Sequence, residues 1–579
     1  MQLTRLPFAD TNWVNATDFA NLAAADAYAV ANGKSLLVDS AFTISTATTL
    51  SSNILCEGGT FTKSGSGTLA ISGTFRSTIN TVFVGFSAGD VTFSAGSVKE
   101  VFPEWFGAAG DSTTDDATAI QSAIDSIKGI EDSCLSLVSG STYRITSQIT
   151  TGPNDDSTVN INGNGAGIYL DSTTSQINIR NSGTRIDNLH ITQNSGNSFS
   201  ADYAAIDILN ISNVHISRCI IEGVKKKGIL VRASNSGNCT GISVSGCKFI
   251  DNGVGDISIA GTDASHKVSN VSIFGNQFLS PTSPIGSPDA NLQIRAIHVQ
   301  TYSSDVSISG NNLRGTASFV GGKYVSGWRD AIMIGVSTDT GAPSYVSVVG
   351  NTITGMGDDG VGISGATNIT VSGNVIYGSV VTSGVYVPGD GSFSNDYVTV
   401  QGNTIYNCLL AGIFLKDTLH CTVVGNAISS CAQGIATSNN SVGDTHAQVI
   451  GNTIKTVTTN GVYLEGVSGG AISGNLIDGF GDSGSGSESD KAAIFHTNGG
   501  VTISGNTFKN GIHGILINGA PERFTIMNNA GVTLSGYGLY FLSFTGDNFI
   551  IAYNTIGGTS GVSVNDPTPT ASKIFESNI

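Results

Sequence analysis

The stretch VQGNTIYNCLLAGIFLKDTLHCTVVGNAI, residues 400–428, contains one full repeat of this chain. It opens and closes on the pattern apolar-x-Gly-Asn-x-apolar, whose asparagines Asn403 and Asn426 lie 23 residues apart. The segment GIFL between them alternates in the manner of a half-buried strand. Two or three such strands within 23 residues, joined by Gly and Asn turns, predict one coil of a right-handed parallel β-helix.

The Gly-Asn pattern occurs nine times at intervals of 23 to 40 residues, which indicates coils of one base length with loops inserted into some of them. Its asparagines are Asn276, Asn311, Asn351, Asn374, Asn403, Asn426, Asn452, Asn475 and Asn506. Cys219 and Cys247 take the Asn position in degenerate copies, and Asn528 and Asn554 are expected to continue the series. Because Asn tolerates the left-handed backbone region and bonds to local backbone, these side chains are predicted to stack as a ladder.

The predicted fold class is therefore all-β, a solenoid that buries its core between neighbouring coils. A second segment of the form small-apolar-x-apolar accompanies the repeats, for example AIHV, AIMI and GVYV. The Ala-rich stretch ATDFANLAAADAYAVA predicts a short helix that caps the N-terminal end. We place this cap and irregular first coils at residues 1–100, the β-helix at 101–555 and a C-terminal end segment at 556–579.

Composition narrows the class of protein. The 75 glycines follow no three-residue period, which excludes collagen, and 39% hydrophobic residues are enough for a core. A net charge of −17, from 43 acidic and 26 basic residues, argues against a nucleic-acid partner. Neither a signal peptide nor an apolar run of membrane-spanning length is recognisable, so membrane insertion is not expected. The eight cysteines are too sparse for a disulfide framework, and Cys408 and Cys431 are expected to pack in the core.

Residues 101–127, VFPEWFGAAGDSTTDDATAIQSAIDSI, form a distinct segment ahead of the repeats. An aromatic-rich piece leads to Gly-Asp, then to Asp115 and Asp116 at a predicted helix start, where a carboxylate caps free N–H groups. This segment, with the repeats that follow it, resembles the pectate-lyase-like β-helix domain of bacteriophage tailspikes. We interpret Glu104, Asp111, Asp115 and Asp116 as structural.

The resemblance implies a homotrimeric virion spike that acts at the outer surface of the bacterial host. Its partner would be a capsular or O-antigen polysaccharide, which such spikes recognise and usually depolymerise. Attachment would be to the phage tail or baseplate, or to an anchoring spike protein. The trimer is implied by the resemblance alone, since the sequence contains no coiled-coil heptads.

Candidate catalytic residues emerge when the small-apolar-x-apolar strands are aligned, because coils stack about 4.8 Å apart and equal positions become neighbours. The position before the strand holds Arg295, Asp330 and Asp359 in three successive coils. Asp358 adjoins this row, and His298 is the outward residue of AIHV. The sequence around Asp358 and Asp359, GMGDDGVGIS, resembles the Gly-Asp-Asp segment of polygalacturonase-type β-helix hydrolases, although Gly-His-Gly and Arg-Ile-Lys are missing downstream.

Under the hypothesis of a hydrolase, Asp330, Asp358 and Asp359 are the catalytic residues. Closely spaced carboxyl groups raise the pKa of one of them, and that group can then act as a general acid. Arg295 and His298 would then orient the substrate. The competing interpretation is a charged loop edge that keeps a solenoid soluble.

The outward positions of later strands are aromatic and predict a saccharide track. Its members are Tyr386, Phe414, Tyr463 and Phe495, flanked by Lys416 and Glu465 as candidate substrate-binding residues. The alternative is an aromatic stack covered by a trimer partner. The run Lys225–Lys227 with Arg232 is interpreted as a solvated turn, with contact to acidic sugars as the second option.

Three functions remain open at this point, and an epimerase is a fourth, less favoured one. Hydrolysis by the paired aspartates would need no cofactor and no metal. A lyase would abstract a proton beside a uronate carboxylate, and its aspartates would then hold a divalent cation. A receptor-binding spike without catalysis would need only the aromatic track.

Overall fold

A computed structural model describes residues 12–130, 132–152, 158–198, 200, 202–280, 294–320, 323–335, 341–379, 381–389, 395–438, 446–481, 486–519, 521, 523–545, 549–558 and 573–576. The chain divides into two compact units, residues 1–229 and 230–579. The predicted boundaries near residues 100 and 555 remain predictions. No helix in the described part of the chain is long and apolar enough to cross a membrane.

Unit 1 contains the two α-helices of the described residues, Leu22–Ala31 and Ala117–Ser126, and the 3-10 helices Ala16–Asp18 and Pro103–Phe106. Three small parallel sheets hold Trp13–Asn15, Ser35–Val38, Ile54–Cys56 and Phe75–Ser77; Val91–Phe93, Leu69–Ile71 and Thr48–Leu50; and Ala41–Ile44, Thr60–Lys63 and Phe83–Val84. The later strands are Glu100–Val101, Asp111–Asp115, Cys134–Ser136, Thr142–Ile145, Ile149–Thr150, Asn160–Asn162, Gly167–Leu170, Ile177–Ile179, Arg185–Asp187, His190–Gln193, Ala204–Leu209, His215–Ser217 and Ile220–Glu222. The helix Leu22–Ala31 confirms the one predicted in the Ala-rich stretch.

Unit 2 is a stack of coils, and a complete coil contributes one strand to each of three parallel sheets, named A, B and C here. Sheet A holds Cys239–Ser245, Val268–Phe274, Ser303–Ser309, Ser344–Val349, Thr367–Ser372, Asp396–Gln401, His420–Val424, His446–Ile450, Gly470–Ser473, Val501–Ser504, Thr525–Met527, Phe549–Ala552 and Lys573–Glu576. Sheet B holds Lys248–Ile250, Gln277–Leu279, Asn312–Arg314, Thr352–Thr354, Val375–Tyr377, Thr404–Tyr406, Ala427–Ser429, Thr453–Lys455, Leu476–Asp478, Thr507–Gly511, Ala530–Leu534 and Thr555–Gly558.

Sheet C carries the candidate site and holds Gly255–Ala260, Arg295–Val299, Asp330–Gly335, Val361–Ser364, Val385–Val387, Ala411–Lys416, Gln433–Ser438, Val462–Glu465, Ala492–Thr497, His513–Asn518 and Leu539–Leu542. The strand Lys227–Arg232 contains the unit boundary. A hairpin of Ser318–Val320 and Lys323–Ser326 and the 3-10 helix Glu488–Asp490 are insertions. Along each coil the chain passes from sheet A to B to C, and the three connections are the A–B, B–C and C–A corners.

The predicted asparagine ladder forms the A–B corner. Asn403 accepts from the backbone N–H and the side-chain amide of Asn374, each at 2.9 Å, and donates to Asn426 at 2.9 Å. Its amide also donates to the carbonyl of Val371 at 2.9 Å. Each buried side-chain amide thereby satisfies backbone groups of neighbouring coils, which is why the position is nearly always Asn. Cys247 takes part through its N–H, which donates to Asn276.

The backbone conformation at this corner corrects two sequence predictions. The left-handed residue is the glycine before the ladder position, for example Gly402 at φ 61° and Gly425 at φ 64°, rather than the ladder asparagine. Where the repeat reads Met-Asn-Asn, Asn528 takes the glycine's place at φ 56° and Asn529 joins the ladder by accepting from the N–H of Asn506 at 3.0 Å. Asn528 is therefore the turn residue, one position away from the predicted ladder site, because Asn replaces Gly best at positive φ.

Inward positions of the strands form the core. Ile405, Ile413 and Val423, one from each sheet of a single coil, are fully buried, and each such side chain contributes about 1.5–3 kcal/mol. Cys408 and Cys431 are free thiols buried side by side, as predicted. The described cysteines form no disulfide.

The segment before the repeats is structural, as expected, but its contacts differ from a simple helix cap. Asp116 directly precedes the helix Ala117–Ser126, yet its carboxylate accepts from the N–H groups of Ala109 at 2.7 Å and Gly110 at 3.1 Å. Asp115 instead accepts from the helix N–H of Ala117 at 3.2 Å. The two aspartates thus tie the incoming loop and the helix start together.

Candidate active site at the B–C corner

Three aspartates meet at the B–C corner of unit 2. Asp330 begins its strand of sheet C, and the pairing of Ile332 with Val361 places Asp359 at the equivalent position one coil later. One carboxylate oxygen from each of Asp330, Asp358 and Asp359 lies within 4.8 Å of the others. All three residues are buried, with exposed fractions of 2%, 8% and 5%. The predicted trio is therefore brought together in one place.

Main-chain hydrogen bonds fix the two coils that carry the trio. The N–H of Asp358 donates to the carbonyl of Arg329 at 2.6 Å, and the N–H of Ala331 donates to the carbonyl of Asp359 at 3.0 Å. These bonds thus hold the backbones that carry the three carboxyl groups in register. A preorganised cluster of this kind is what acid–base catalysis requires.

Two arginines form ion pairs with two of the three carboxylates. Arg295 Nε donates to Asp330 Oδ2 at 3.1 Å, and Arg329 Nε donates to Asp358 Oδ2 at 3.0 Å. Arg329 Nε also lies 4.0 Å from Asp330 Oδ1, so it bridges the two aspartates. Asp359 forms no ion pair with either arginine. It accepts from the hydroxyl of Thr382 and from the N–H of Ser383 at 3.5 Å.

Electrostatics distinguish Asp359 from its neighbours. Burial raises its pKa well above the ordinary value, and the nearby carboxylates of Asp330 and Asp358 raise it further. Burial also raises the pKa of Asp330, but the positive charges of Arg295 and Arg329 oppose that rise. Asp359 is therefore the carboxyl group of the trio most suited to hold a proton.

A notch, meaning a position without a side chain in the outward row of sheet C, lies next to Asp359 at Gly362. In the outward positions of sheet C, Gly362 stands between Met333 and Tyr386. A Cβ at Gly362 would lie 2.7 Å from Met333 Sδ and 3.6 Å from Asp359 Oδ2. The Met333 side chain therefore reaches over Gly362, and the notch is lined by Met333 and by the carboxyl group of Asp359. Continuing along the sheet, Tyr386 and Phe414 stack at 5.4 Å with an interplanar angle of 2°.

His298 lies at the opposite side of the notch from the aromatic pair. Its ring nitrogens lie 3.3 Å from Nη1 of Arg295, and its Nε2 lies 3.2 Å from the carbonyl oxygen of Gly335. Two of the predicted substrate-orienting residues thus contact each other and border the trio.

The later part of the aromatic track differs from the prediction. Phe495 is only 2% exposed and packs in a cluster with Ala492 and Leu516, with Tyr463 beside it at 4.9 Å. Because a sugar platform needs an accessible ring face, Phe495 is corrected from a substrate-binding residue to a core residue. Tyr463 remains half-buried, and the small Ala436 separates it from Phe414 in the register.

Two charged residues are not part of this corner. Lys416 and Glu465 stand at the far ends of their sheet C strands, at the C–A corner, so the structure does not bring them to the trio.

The interpretation of the run Lys225–Lys227 as a solvated turn is wrong for Lys226. It is fully buried, and its Nζ donates to the carbonyls of Thr173 at 3.0 Å and Ser175 at 2.6 Å. Burial lowers its pKa to about 8.

Sequence reasoning missed Arg329, Thr382 and Gly362. Arg329 immediately precedes Asp330 and occupies the same position in the repeat as Asp358 and Thr382. Aligning this second column of the repeats would have revealed both Arg329 and Thr382. Gly362 gives no signal of its own, since 75 glycines occur in the chain.

Comparisons with known proteins address the fold. A family model described as right handed beta helix region matches residues 295–445, and one described as periplasmic copper-binding protein (NosD) matches residues 391–530. None of the curated proteins matches the chain.

Solved structures with similar folds include two phage proteins and an enzyme. Pre-mature gene product 12 of bacteriophage phi29 aligns with a TM-score of 0.50 and 14% identity, over 80% of this chain and 73% of that one. The tailspike protein of E. coli bacteriophage HK620, solved with a pentasaccharide, gives 0.46 and 12% over 80% and 84%. The mannuronan C-5 epimerase AlgE6 A-module of Azotobacter vinelandii gives 0.47 and 17% over 65% and 98%. At such identities the likeness concerns the fold alone: this chain contains a right-handed parallel β-helix domain.

Proposed function

We propose that this protein is a phage tailspike that binds a bacterial surface polysaccharide and cleaves it by hydrolysis at Asp330, Asp358 and Asp359. The single observation that carries the proposal is the unequal charge balance of the trio. Two of its carboxylates are paired with arginines, while the third, Asp359, has a raised pKa and lies beside Gly362 in the outward row of sheet C. One protonated and one ionised carboxyl group side by side are what glycosidic hydrolysis needs.

The roles follow from the hydrogen bonds. Asp359 donates its proton to the glycosidic oxygen as the bond from that oxygen to the anomeric carbon breaks. Asp358 accepts a proton from a water molecule whose hydroxyl adds to the anomeric carbon. Its Oδ1 is buried and has no hydrogen-bond partner among the described residues, so it is available to hold that water. Asp330, paired with Arg295, holds the other two carboxyl groups in position, and its negative charge helps to raise the pKa of Asp359.

Substrate binding is assigned to the surface that continues from the notch. Tyr386 and Phe414 present a stacked aromatic pair to sugar C–H faces, and Tyr463 lies two coils beyond Phe414. His298 and Arg295 lie on the other side and can bind hydroxyl or carboxylate groups of the chain. A polysaccharide would then run along sheet C, across the coils.

The principal alternative is a lyase in which the trio holds a divalent cation. The donor set suits a hard cation, since three carboxylate oxygens lie within 4.8 Å of one another. However, Arg295 and Arg329 already neutralise two of the three charges, and a cation would have to compete with both. This balance favours hydrolysis without a metal.

The setting of the activity is proposed from the resemblance of residues 101–127 to tailspikes. The spike would act on capsule or O-antigen from the virion, as a homotrimer attached to the phage tail or to an anchoring protein. A fold shared with gene product 12 of phi29 is compatible with this setting.

The deciding experiment treats a panel of purified capsular and O-antigen polysaccharides with the protein in ¹⁸O-labelled water and analyses the fragments by mass spectrometry. Hydrolysis adds one labelled oxygen per cut, whereas elimination yields unlabelled, unsaturated ends. Asp359→Asn and Asp358→Asn are each expected to lower turnover by about 10²–10⁴-fold. Asp305→Asn, an exposed carboxylate on sheet A, is the matched control.

The outcomes separate the candidates. Labelled fragments that disappear in Asp359→Asn support the proposal. Unsaturated fragments that require added Ca²⁺ would replace it by the lyase. Full activity in both variants, with the fold retained by circular dichroism, would remove the trio from the mechanism.

A further inference from the structure

A second surface, at the C–A corner of unit 2, carries exposed rings in register. Tyr397, His420 and His446 occupy equal positions at the start of three successive sheet A strands. Tyr397 and His420 stack at 4.8 Å and 6°, and His420 and His446 stack at 5.5 Å and 15°. Tyr397 is 57% exposed, and His420 is held by Asp396 through a 2.6 Å contact to Nδ1. This ring column is separate from the aromatic track of sheet C.

The column ends at a groove. By the register of sheet A, the two positions that follow His446 are Gly469 and Gly500, and the third is Arg523. His446, the two glycines and Arg523 line a groove of about 590 Å³. That volume lies within the range of ligand sites, about 300–1,000 Å³.

The polar groups of this groove point to the kind of ligand. Ser468 also lines it, and its buried Oγ has no hydrogen-bond partner within the described part of the chain. Such a group normally finds a partner, and a bound ligand can supply one. Arg523 is exposed and makes no ion pair with a described residue, in a chain of net charge −17.

The spacing between His446 and Arg523 is set by the solenoid. Three coil steps of about 4.8 Å separate the backbones of His446 and Arg523, about 14 Å in all. A Cβ at Gly469 would lie 2.8 Å from His446 Cδ2, so the imidazole ring covers this glycine, and the groove extends from the ring past Gly500 to Arg523. An imidazole ring packs against a sugar face, while guanidinium binds a carboxylate through paired hydrogen bonds.

We propose that this groove binds an acidic saccharide unit, with its carboxylate on Arg523, its ring beside His446 and a hydroxyl on Ser468. The site goes beyond the proposed catalysis, since no residue of the trio takes part in it. It would be a second, non-catalytic binding site for an anionic polysaccharide. Because the ligand class follows from the groove itself, loss of the hydrolase proposal would leave this one standing.

The test uses saturation-transfer NMR on the full chain with the methyl glycosides of glucuronic, galacturonic, mannuronic and N-acetylneuraminic acids, and methyl glucoside as the neutral probe. At least one acidic glycoside is expected to bind more tightly than methyl glucoside. Arg523→Ala is expected to weaken that binding at least tenfold. Arg314→Ala, an exposed arginine on sheet B, and Asp359→Asn are expected to leave it unchanged.

Each other outcome overturns the proposal. If none of the acidic glycosides binds, or if Arg523→Ala binds them as the wild type does, the groove is not an acidic-saccharide site. If Arg523→Ala alters the sedimentation coefficient but not saccharide binding, the groove belongs to a contact with a second copy of the chain. If binding is lost in Asp359→Asn instead, the saccharide occupies the catalytic notch.

Discussion

Arg295 and Asp330 form a buried ion pair between neighbouring coils, with Nε 3.1 Å from Oδ2 and side-chain exposures of 11% and 3%. Asp330 belongs to the acidic trio, so Arg295 both opposes the rise that burial causes in the pKa of Asp330 and positions its carboxyl group. Breaking such a pair leaves an uncompensated buried charge, which costs more than the pair itself contributes.

Arg295→Met is therefore expected to lower the free energy of unfolding by about 3–5 kcal/mol at neutral pH. Denaturant unfolding followed by circular dichroism measures this, with Arg314→Met as the exposed control. A loss below about 1 kcal/mol would mean that Arg329, whose Nε lies 4.0 Å from Asp330 Oδ1, compensates the charge alone.

Asp359→Asn is expected to stabilise the protein as well as to lower the proposed hydrolytic turnover. The raised pKa of Asp359 means that the native state holds a proton which the unfolded chain releases at lower pH. Wild-type stability from this group is complete below the unfolded pKa, near 3.8, and is lost as pH rises toward the native pKa. Each pKa unit of difference costs about 1.4 kcal/mol at higher pH.

The amide of the Asn variant does not titrate. Its stability advantage over the wild type should therefore grow between pH 4 and 7, as measured by denaturant unfolding at a series of pH values. An advantage that stays constant across this range would contradict a protonated Asp359.

The repeat and the trio could be predicted because both depend on periodic positions. A Gly-Asn pair at a fixed interval specifies a corner, and aligned strands bring Arg295, Asp330 and Asp359 into one row. Phe495 could not be assigned in this way, since its position in the row gives its direction but not the packing of Ala492 and Leu516 around it. Lys226 was misjudged for a similar reason: the carbonyls of Thr173 and Ser175 that bury it are more than 50 residues away in sequence.

The turn at Asn528 shows a different limit. Met-Asn-Asn offers two asparagines for one ladder position, and composition cannot choose between them. The choice is made by the left-handed backbone that the preceding residue must adopt, and Asn528 adopts it at φ 56°. Reading the repeat as a Gly position followed by an Asn position would have identified Asn529.

Phe414→Ala is expected to weaken substrate binding without stopping catalysis. Phe414 stacks on Tyr386 at 5.4 Å and lies outside the trio, so its ring contributes to binding rather than to bond cleavage. Aromatic pairs contribute about 0.5–1.5 kcal/mol beyond area burial, which predicts a KM raised about 2- to 10-fold with kcat near the wild-type value.

The matched control for this variant is Tyr406→Ala. Tyr406 packs against Tyr377 on sheet B, with ring centroids 4.7 Å apart and an interplanar angle of 37°, and so forms an aromatic pair on another face. Equal effects of the two substitutions on KM would show that sheet C is not the substrate track.

The buried His496 is expected to make the stability of the protein depend on pH in the acidic range. It occupies an inward position of sheet C between Leu464 and Ile517, is fully buried, and its Nε2 donates to the carbonyl of Gly499 at 3.0 Å. Burial lowers its pKa from 6.5 to about 4. Between these two pH values the unfolded chain binds a proton that the native state does not. The free energy of unfolding is therefore expected to fall as pH drops from 6.5 to about 4, by about 3 kcal/mol in total.

His496→Leu, which matches the neighbouring core residues, is expected to remove this part of the pH dependence. Thermal unfolding between pH 4 and 7 should show wild type and variant diverging toward acid, with the variant the more stable at pH 4. His215→Leu, at an exposed position, controls for the loss of one imidazole. Parallel curves for wild type and His496→Leu would mean that the native pKa of His496 equals its value in the unfolded chain, so that burial does not lower it.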